Sequence, residues 1–101
     1  MNLPLVITPE AEDDLSRAIG WHENVRSGLG AKFEQCFEDT LSLIRQFPFA
    51  RHSVYKDARR VLLRPFKYHV YYVIRNERIY IALLSHASRH PKVWKKRLRG
   101  M

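Results

Sequence analysis

Between residues 68 and 75 the side chains alternate. Tyr68, Val70, Tyr72 and Ile74 fall on one side, and His69, Tyr71, Val73 and Arg75 on the other. A period of two marks a strand, whose successive side chains point to opposite faces. The first set is expected to meet the core and the second to carry the polar candidates. Residues 78–86 place Ile79, Ile81, Leu83 and Ser85 against Tyr80, Ala82, Leu84 and His86. This almost unbroken apolar run reads as a central strand covered on both faces for part of its length. A shorter strand at 60–63 comes before them, and Arg75-Asn76-Glu77-Arg78 makes a tight hairpin turn, with Glu77 where Gly usually follows Asn.

Upstream the period changes to that of helices. Residues 3–8 form a first short strand, with Pro4 at an irregular or edge position. Thr8 caps the helix that follows, and Pro9 suits its first position because its missing N–H would be unpaired there. Glu10, Glu12, Asp13 and Asp14 crowd the first turns, where the helix dipole favours negative charge. Ala11, Leu15, Ala18, Ile19 and His22 share one face as far as residues 24–26. Trp21 lies off that stripe. Gly28 and Gly30 make the turn into a second helix at 30–46, whose stripe is Phe33, Cys36, Phe37, Thr40, Leu41, Ile44 and Phe47. Pro48 stops it. The two helices form an antiparallel hairpin.

A connector at 49–57 holds a short strand near 52–56. After Ser85 the chain turns basic, and Pro91 opens a last helical turn carrying Val93, Trp94 and Leu98. Consecutive strands with short links pair antiparallel, and helices gathered on one face give an α+β domain. The predicted architecture is an N-terminal strand and helical hairpin packed on one face of a three- to four-stranded antiparallel sheet. It fits a single domain of 101 residues.

Composition adds one strong feature. The net charge is +8, unevenly spread. Residues 1–50 hold four basic against eight acidic side chains, a net of −4, and residues 51–101 hold fourteen against two, a net of +12. A basic half of this size points to an anionic partner, nucleic acid or acidic protein. The single Cys36 excludes an intrachain disulfide and a cysteine-based zinc site. His86 and His90 lack the neighbours that a metal site would need, so no metal is expected. Without a long apolar segment or a leader-like start, the chain reads as a cytoplasmic protein with no membrane contact.

These parts in this order resemble the RelE/ParE superfamily of toxins from type II toxin–antitoxin modules. The resemblance rests on the opening ITPEAEDDL, the helix ending LIRQFP, Arg60, the strand YHVYYVI after Phe66, and the closing SHASRHPKVWKKR. It covers nearly the whole chain. The ending, with His86, Arg89, Pro91 and Trp94, is most similar to the ParE branch. The resemblance implies a cognate antitoxin that holds the toxin inactive, and no metal, cofactor or small-molecule substrate. For the ParE branch it implies inhibition of DNA gyrase, and for the RelE branch cleavage of messenger RNA on the ribosome. A degenerate module that only binds an antitoxin is a third alternative.

Cleavage without a metal needs a base, an acid and cations around the phosphorane. The basic positions of the RelE pattern fall at Arg60, Leu62, His69 and Arg89. Leu62 and His69 depart from it, and no Tyr follows Tyr80. If the chain is a nuclease, Arg60, His69 and Arg89 are its catalytic candidates; otherwise no catalytic residue is expected. A gyrase inhibitor needs only a basic, partly aromatic grip, for which Arg60, Arg64, Lys67, His69, Arg89, Trp94, Lys95 and Arg97 are available. His86 suits either a satisfied interior position or an acid–base role. Trp21, if exposed, suits the antitoxin.

Overall fold

The computed structural model describes residues 3–101. In chain order the elements are β1 (Leu5–Ile7), α1 (Pro9–Val25), α2 (Leu29–Gln46), β2 (Ser53–Tyr55), β3 (Ala58–Leu63), β4 (Tyr68–Arg75), β5 (Arg78–His86) and α3 (Pro91–Arg99). The sheet has five strands in the order β1-β5-β4-β3-β2. That is more than the three or four expected, because both short outer segments join it. β1 pairs parallel with β5, and every other neighbouring pair is antiparallel.

Local chemistry sets the helix ends. Thr8 accepts the Ala11 N–H at 3.2 Å, and its own hydroxyl donates to the Ile81 carbonyl at 2.9 Å. The cap thus starts α1 and ties it to the sheet. The N-cap of α2 is Gly28, in the left-handed region at φ 89°, and it has no capping side chain of its own. Glu23 supplies the cap from the neighbouring helix. Both its carboxylate oxygens accept the Gly28 N–H at 3.1 Å, and one accepts the Gly30 N–H at 3.0 Å.

Two apolar clusters lie on the two faces of the sheet. Val61, Leu63, Val70, Tyr72, Ile79, Ile81 and Leu84 pack beneath Ala11, Ala18, Phe33, Phe37, Leu41 and Ile44 of the helical hairpin. The opposite face joins Ala58, Tyr71, Val73, Ala82 and Leu83 to Trp94 and Leu98 of α3. The final segment is therefore a docked helix of nine residues. Its N-cap is His90, whose Nδ1 accepts the Lys92 N–H at 3.1 Å.

Strict alternation fails in β5. Tyr71 pairs with Leu83 but Tyr72 pairs with Ile81, which leaves Ala82 as an extra residue. This bulge turns Leu83 to the α3 face with Ala82, while Leu84 joins the helix face. His86 then sits against Tyr68, with ring centroids 5.2 Å apart. The β4–β5 turn has Asn76 at φ 52° and Glu77 at φ 59°. Two successive left-handed residues are the mark of a type I′ hairpin turn, which here tolerates Glu in place of Gly.

Candidate functional site

The basic residues singled out from sequence fall into a group on the α3 face of the sheet and a set on the connections that follow β3 and β5. On the α3 face, β3 sets Arg60 opposite Tyr71 and Leu62 opposite His69. The Trp94 indole lies on the Tyr71 ring, with 5.2 Å between centroids and 27° between planes. Arg60 stands 5.7 Å over the indole, and Lys95 stands 5.6 Å from the rings of both Trp94 and Tyr55. Arg60, Trp94 and Lys95 thus form one stacked group whose indole is buried.

His69 lies beside this group, 5.9 Å from the Tyr71 ring. Burial, and then the charges of Arg60 and His86, hold its pKa below the ordinary histidine value. Burial also pushes the Tyr71 hydroxyl upward, against the lowering effect of Arg60.

The connections at this end are joined to each other. The β3–β4 turn holds a cis Arg64–Pro65 bond and Lys67 at φ 61°. The Ala87 N–H donates to the Lys67 carbonyl at 2.7 Å, which binds this turn to the link between β5 and α3. In that link the Ser88 N–H donates to His86 Nδ1 at 3.1 Å, so this nitrogen carries the lone pair. The Ser88 hydroxyl lies 2.7 Å from the same nitrogen. Arg64, Lys67 and Arg89 are exposed here, and none has a carboxylate partner among the described residues.

Arg97 is engaged differently. It reaches around the free edge of β5 to the Asp14 carboxylate of α1. Asp14 also accepts the Leu84 N–H at 3.1 Å, just past the point where β1 ends, and pairs with Arg17 at 2.9 Å. Its carboxylate therefore closes the exposed end of β5 and joins α1 to α3.

Beside this clasp runs a groove of about 830 Å³ between α1, β5 and the start of α3. Trp21 stands at its rim, 62% exposed. His22, Phe66 and Tyr68 line its inner wall. His22 is buried, and its Nδ1–H donates to the Ala18 carbonyl at 2.7 Å. The ring stacks on Phe33 at 4.7 Å and meets Phe66 edge-on at 4.9 Å. Arg89, Val93 and His86 complete the opposite wall. Trp21 off the apolar stripe and His22 on it are legible in the sequence. The groove is not, because Phe66 and Tyr68 meet α1 only through the fold. Among the described residues, no group of three or more His, Cys, Asp or Glu side chains is placed to share a metal ion.

The arrangement is thus a basic end that meets, at Arg89, a groove of mixed character with aromatic side chains on its inner wall and arginines at its edges. Residues 5–91 match the family model described as the ParE toxin of the type II toxin–antitoxin system parDE. Toxin ParE2 of Mycobacterium tuberculosis (strain ATCC 25618 / H37Rv) is 29% identical over 90 residues, covering 88% of this chain and 86% of the relative. Among solved structures, a doubly substituted mutant of E. coli toxin RelE in the free state superposes with a TM-score of 0.73 at 14% identity, over 100% of this chain and 99% of that one. A chain of the chromosomal ParDE system from P. aeruginosa gives a TM-score of 0.66 at 14% identity, over 85% of this chain and 97% of that one. The RelE mutant in complex with a peptide of its antitoxin RelB gives 0.63 at 14% identity, over 95% and 94%. The structural likenesses establish the shared fold, and the family model establishes membership: this chain belongs to the ParE toxin family of type II toxin–antitoxin systems.

Proposed function

We propose that this toxin acts in the cytoplasm by gripping DNA gyrase, with no catalytic step of its own, and that a cognate antitoxin neutralises it. The observation that carries the reading is Leu62 paired with His69 across β3 and β4. A nuclease of the related branch would carry cations at these two places to stabilise the phosphorane. Leu62 has no charge, and the depressed pKa of His69 leaves its ring mostly neutral near pH 7. Arg60 meanwhile lies against the Trp94 indole. What remains exposed, Arg64, Lys67 and Arg89, is a basic rim suited to a protein or protein–DNA surface. The groove under Trp21 is the proposed antitoxin site, since an exposed indole beside an apolar wall is a natural anchor.

The test is supercoiling by purified gyrase. Inhibition by stoichiometric toxin, relieved by antitoxin, is the expected result. Normal supercoiling at large excess of toxin would remove the reading.

A second reading is messenger RNA cleavage on the ribosome. It draws on the proximity of Arg60 and His86 to His69, whose imidazolium their charges disfavour, and on the general ability of an imidazole to act as acid or base. It requires cleavage on translating ribosomes that collapses in Arg89→Ala. If both assays are silent and expression does not arrest growth, the chain is a degenerate module that only binds its antitoxin.

A further inference from the structure

Eight large apolar side chains are exposed among the described residues, and four of them, Leu43, Phe47, Phe49 and Val54, fall within residues 43–54. Phe47 and Phe49 are the most exposed of the four, at 58% and 63%. The fold draws them together. Val54 lies in β2 itself, as the extra residue between Ser53, which pairs with Arg59, and Tyr55, which pairs with Ala58. Arg59 of β3 pairs with Tyr72, on the face of the helical hairpin, and stands 5.4 Å over the Phe49 ring. Leu43 and Phe47 border a shallow depression of about 90 Å³ floored by Val61. Arg59 also donates to the carbonyls of Phe49 and Arg51, which holds this segment in place.

The patch borders β2, the outermost strand, whose one sheet neighbour is β3. The other side of β2 offers unpaired backbone donors and acceptors, a template for a further strand. The charge here has one sign. Residues 43–56 contain Arg45, Arg51 and Lys56 and no carboxylate. The next acid, Asp57, is held by Arg75 through two hydrogen bonds of 3.0 Å. A second copy of this chain would bring the same cations and a net charge of +8 to meet them. An acidic segment meets no such repulsion.

We infer that the β2 edge and the Leu43, Phe47, Phe49 and Val54 patch form a second docking surface, on the sheet edge opposite the Trp21 groove. It takes an acidic stretch of the antitoxin as an added strand. Apolar side chains of that strand cover Phe47 and Phe49, and its carboxylates face Arg51 and Arg59. The inference rests on the toxin–antitoxin reading.

The test uses the full-length toxin and the purified product of the neighbouring antitoxin reading frame. Calorimetric Kd values are measured for wild type, Phe47→Glu, Phe49→Glu and Val54→Pro, and amide exchange at residues 53–55 is followed with and without antitoxin. All three positions are exposed, so each variant should keep the wild-type denaturation midpoint. The two Glu variants should bind about ten-fold or more weakly, and the β2 amides should become protected in the complex. If wild type binds while the variants stay within about two-fold of it and β2 gains no protection, this surface is not used and the inference falls. If wild type itself does not bind, the toxin–antitoxin reading falls, and this inference with it.

Discussion

Trp94 lies flat on Tyr71, and through that stack α3 is held to the sheet. Leu98 is the other buried side chain of this helix, and its remaining exposed positions are mostly cationic. Trp94→Ala should therefore cost about 3 kcal/mol or more, in the range for losing a buried aromatic side chain. That is a large share of the stability of a small domain. Trp94→Phe keeps a ring on Tyr71 and should recover a substantial part. Urea denaturation of the three proteins decides it. Equal midpoints for wild type and Trp94→Ala would mean that α3 contributes nothing to the fold.

The clasp at the free edge of β5 should be asymmetric. The Asp14 side chain is only 9% exposed and serves Arg97, Arg17 and the Leu84 N–H together. Asp14→Ala leaves that N–H without its acceptor and the half-buried Arg97 guanidinium with only the Glu10 carbonyl at 3.4 Å, at a cost of about 2–3 kcal/mol. Arg97→Ala leaves Asp14 its other two partners. It also removes the Arg97 Nε, a buried donor with no acceptor. It should cost about 1 kcal/mol. Equal losses from the two substitutions would contradict this ordering.

Much of this fold was legible in the sequence, and the reasons differ by element. Thr8 and Pro9 followed by a run of acids can hardly be anything but a helix start. The stripe from Phe33 to Ile44 has one helical reading. The bulge in β5 left no trace, because Ile79 to Leu84 is apolar throughout and Leu83 and Leu84 exchange faces without any change in pattern. Phe47 continued the stripe of α2 yet is exposed, since periodicity gives the buried side of a helix but not where the layer beneath it ends. Arg97 reads from sequence as part of the target-binding grip, whereas it is engaged by Asp14, a partner 83 positions away that no local pattern reveals. For the candidate site, Arg64, Lys67 and Arg89 are exposed as a binding rim requires, whereas Trp94 is largely buried. Its role as a plug therefore outweighs any contact it makes with a target.

The α1–α2 turn depends on Glu23. Glu23→Ala removes the acceptor of two N–H groups at the start of α2 and should cost about 1 kcal/mol, as for loss of an N-cap. Glu23→Gln keeps an acceptor but loses the charge against the helix dipole, so about half of that loss is expected. Gly30 should be stricter than either. A Cβ there would stand 2.9 Å from the Ile19 carbonyl oxygen, so Gly30→Ala must push the hairpin apart. Thermal denaturation of the three variants should rank Gly30→Ala as the most damaging.

His69 gives the fold a defined pH dependence. Its folded pKa lies below the ordinary value of 6.5, because burial, Arg60 and His86 all disfavour the imidazolium. Below pH ~6.5 the unfolded chain therefore binds more protons at this position than the folded one. The stability associated with neutral His69 is complete above that pH and is lost as pH falls toward the folded pKa. His69→Gln should flatten this part of the profile. Denaturation midpoints at pH 7.5, 6.5 and 5.5 for both proteins test it, and parallel losses in the two would assign the acid sensitivity to other groups.

Trp21 offers a test confined to the groove. The residue is 62% exposed, and its ring meets the buried His22 edge-on, with 4.9 Å between centroids. Trp21→Ala removes little packing from the free toxin, so stability should change by less than about 1 kcal/mol. If the indole anchors the antitoxin, the same substitution should weaken the complex by about 2 kcal/mol or more, a loss of roughly thirty-fold in Kd. Trp21→Phe should sit between the two. Binding is measured by titrating antitoxin into each toxin, with gyrase inhibition or growth arrest recorded in parallel. Toxicity should survive in all three, because Trp21 lies across the groove from the exposed Arg89 rim. A Trp21→Ala toxin that binds its antitoxin as tightly as wild type would place the antitoxin elsewhere on the surface.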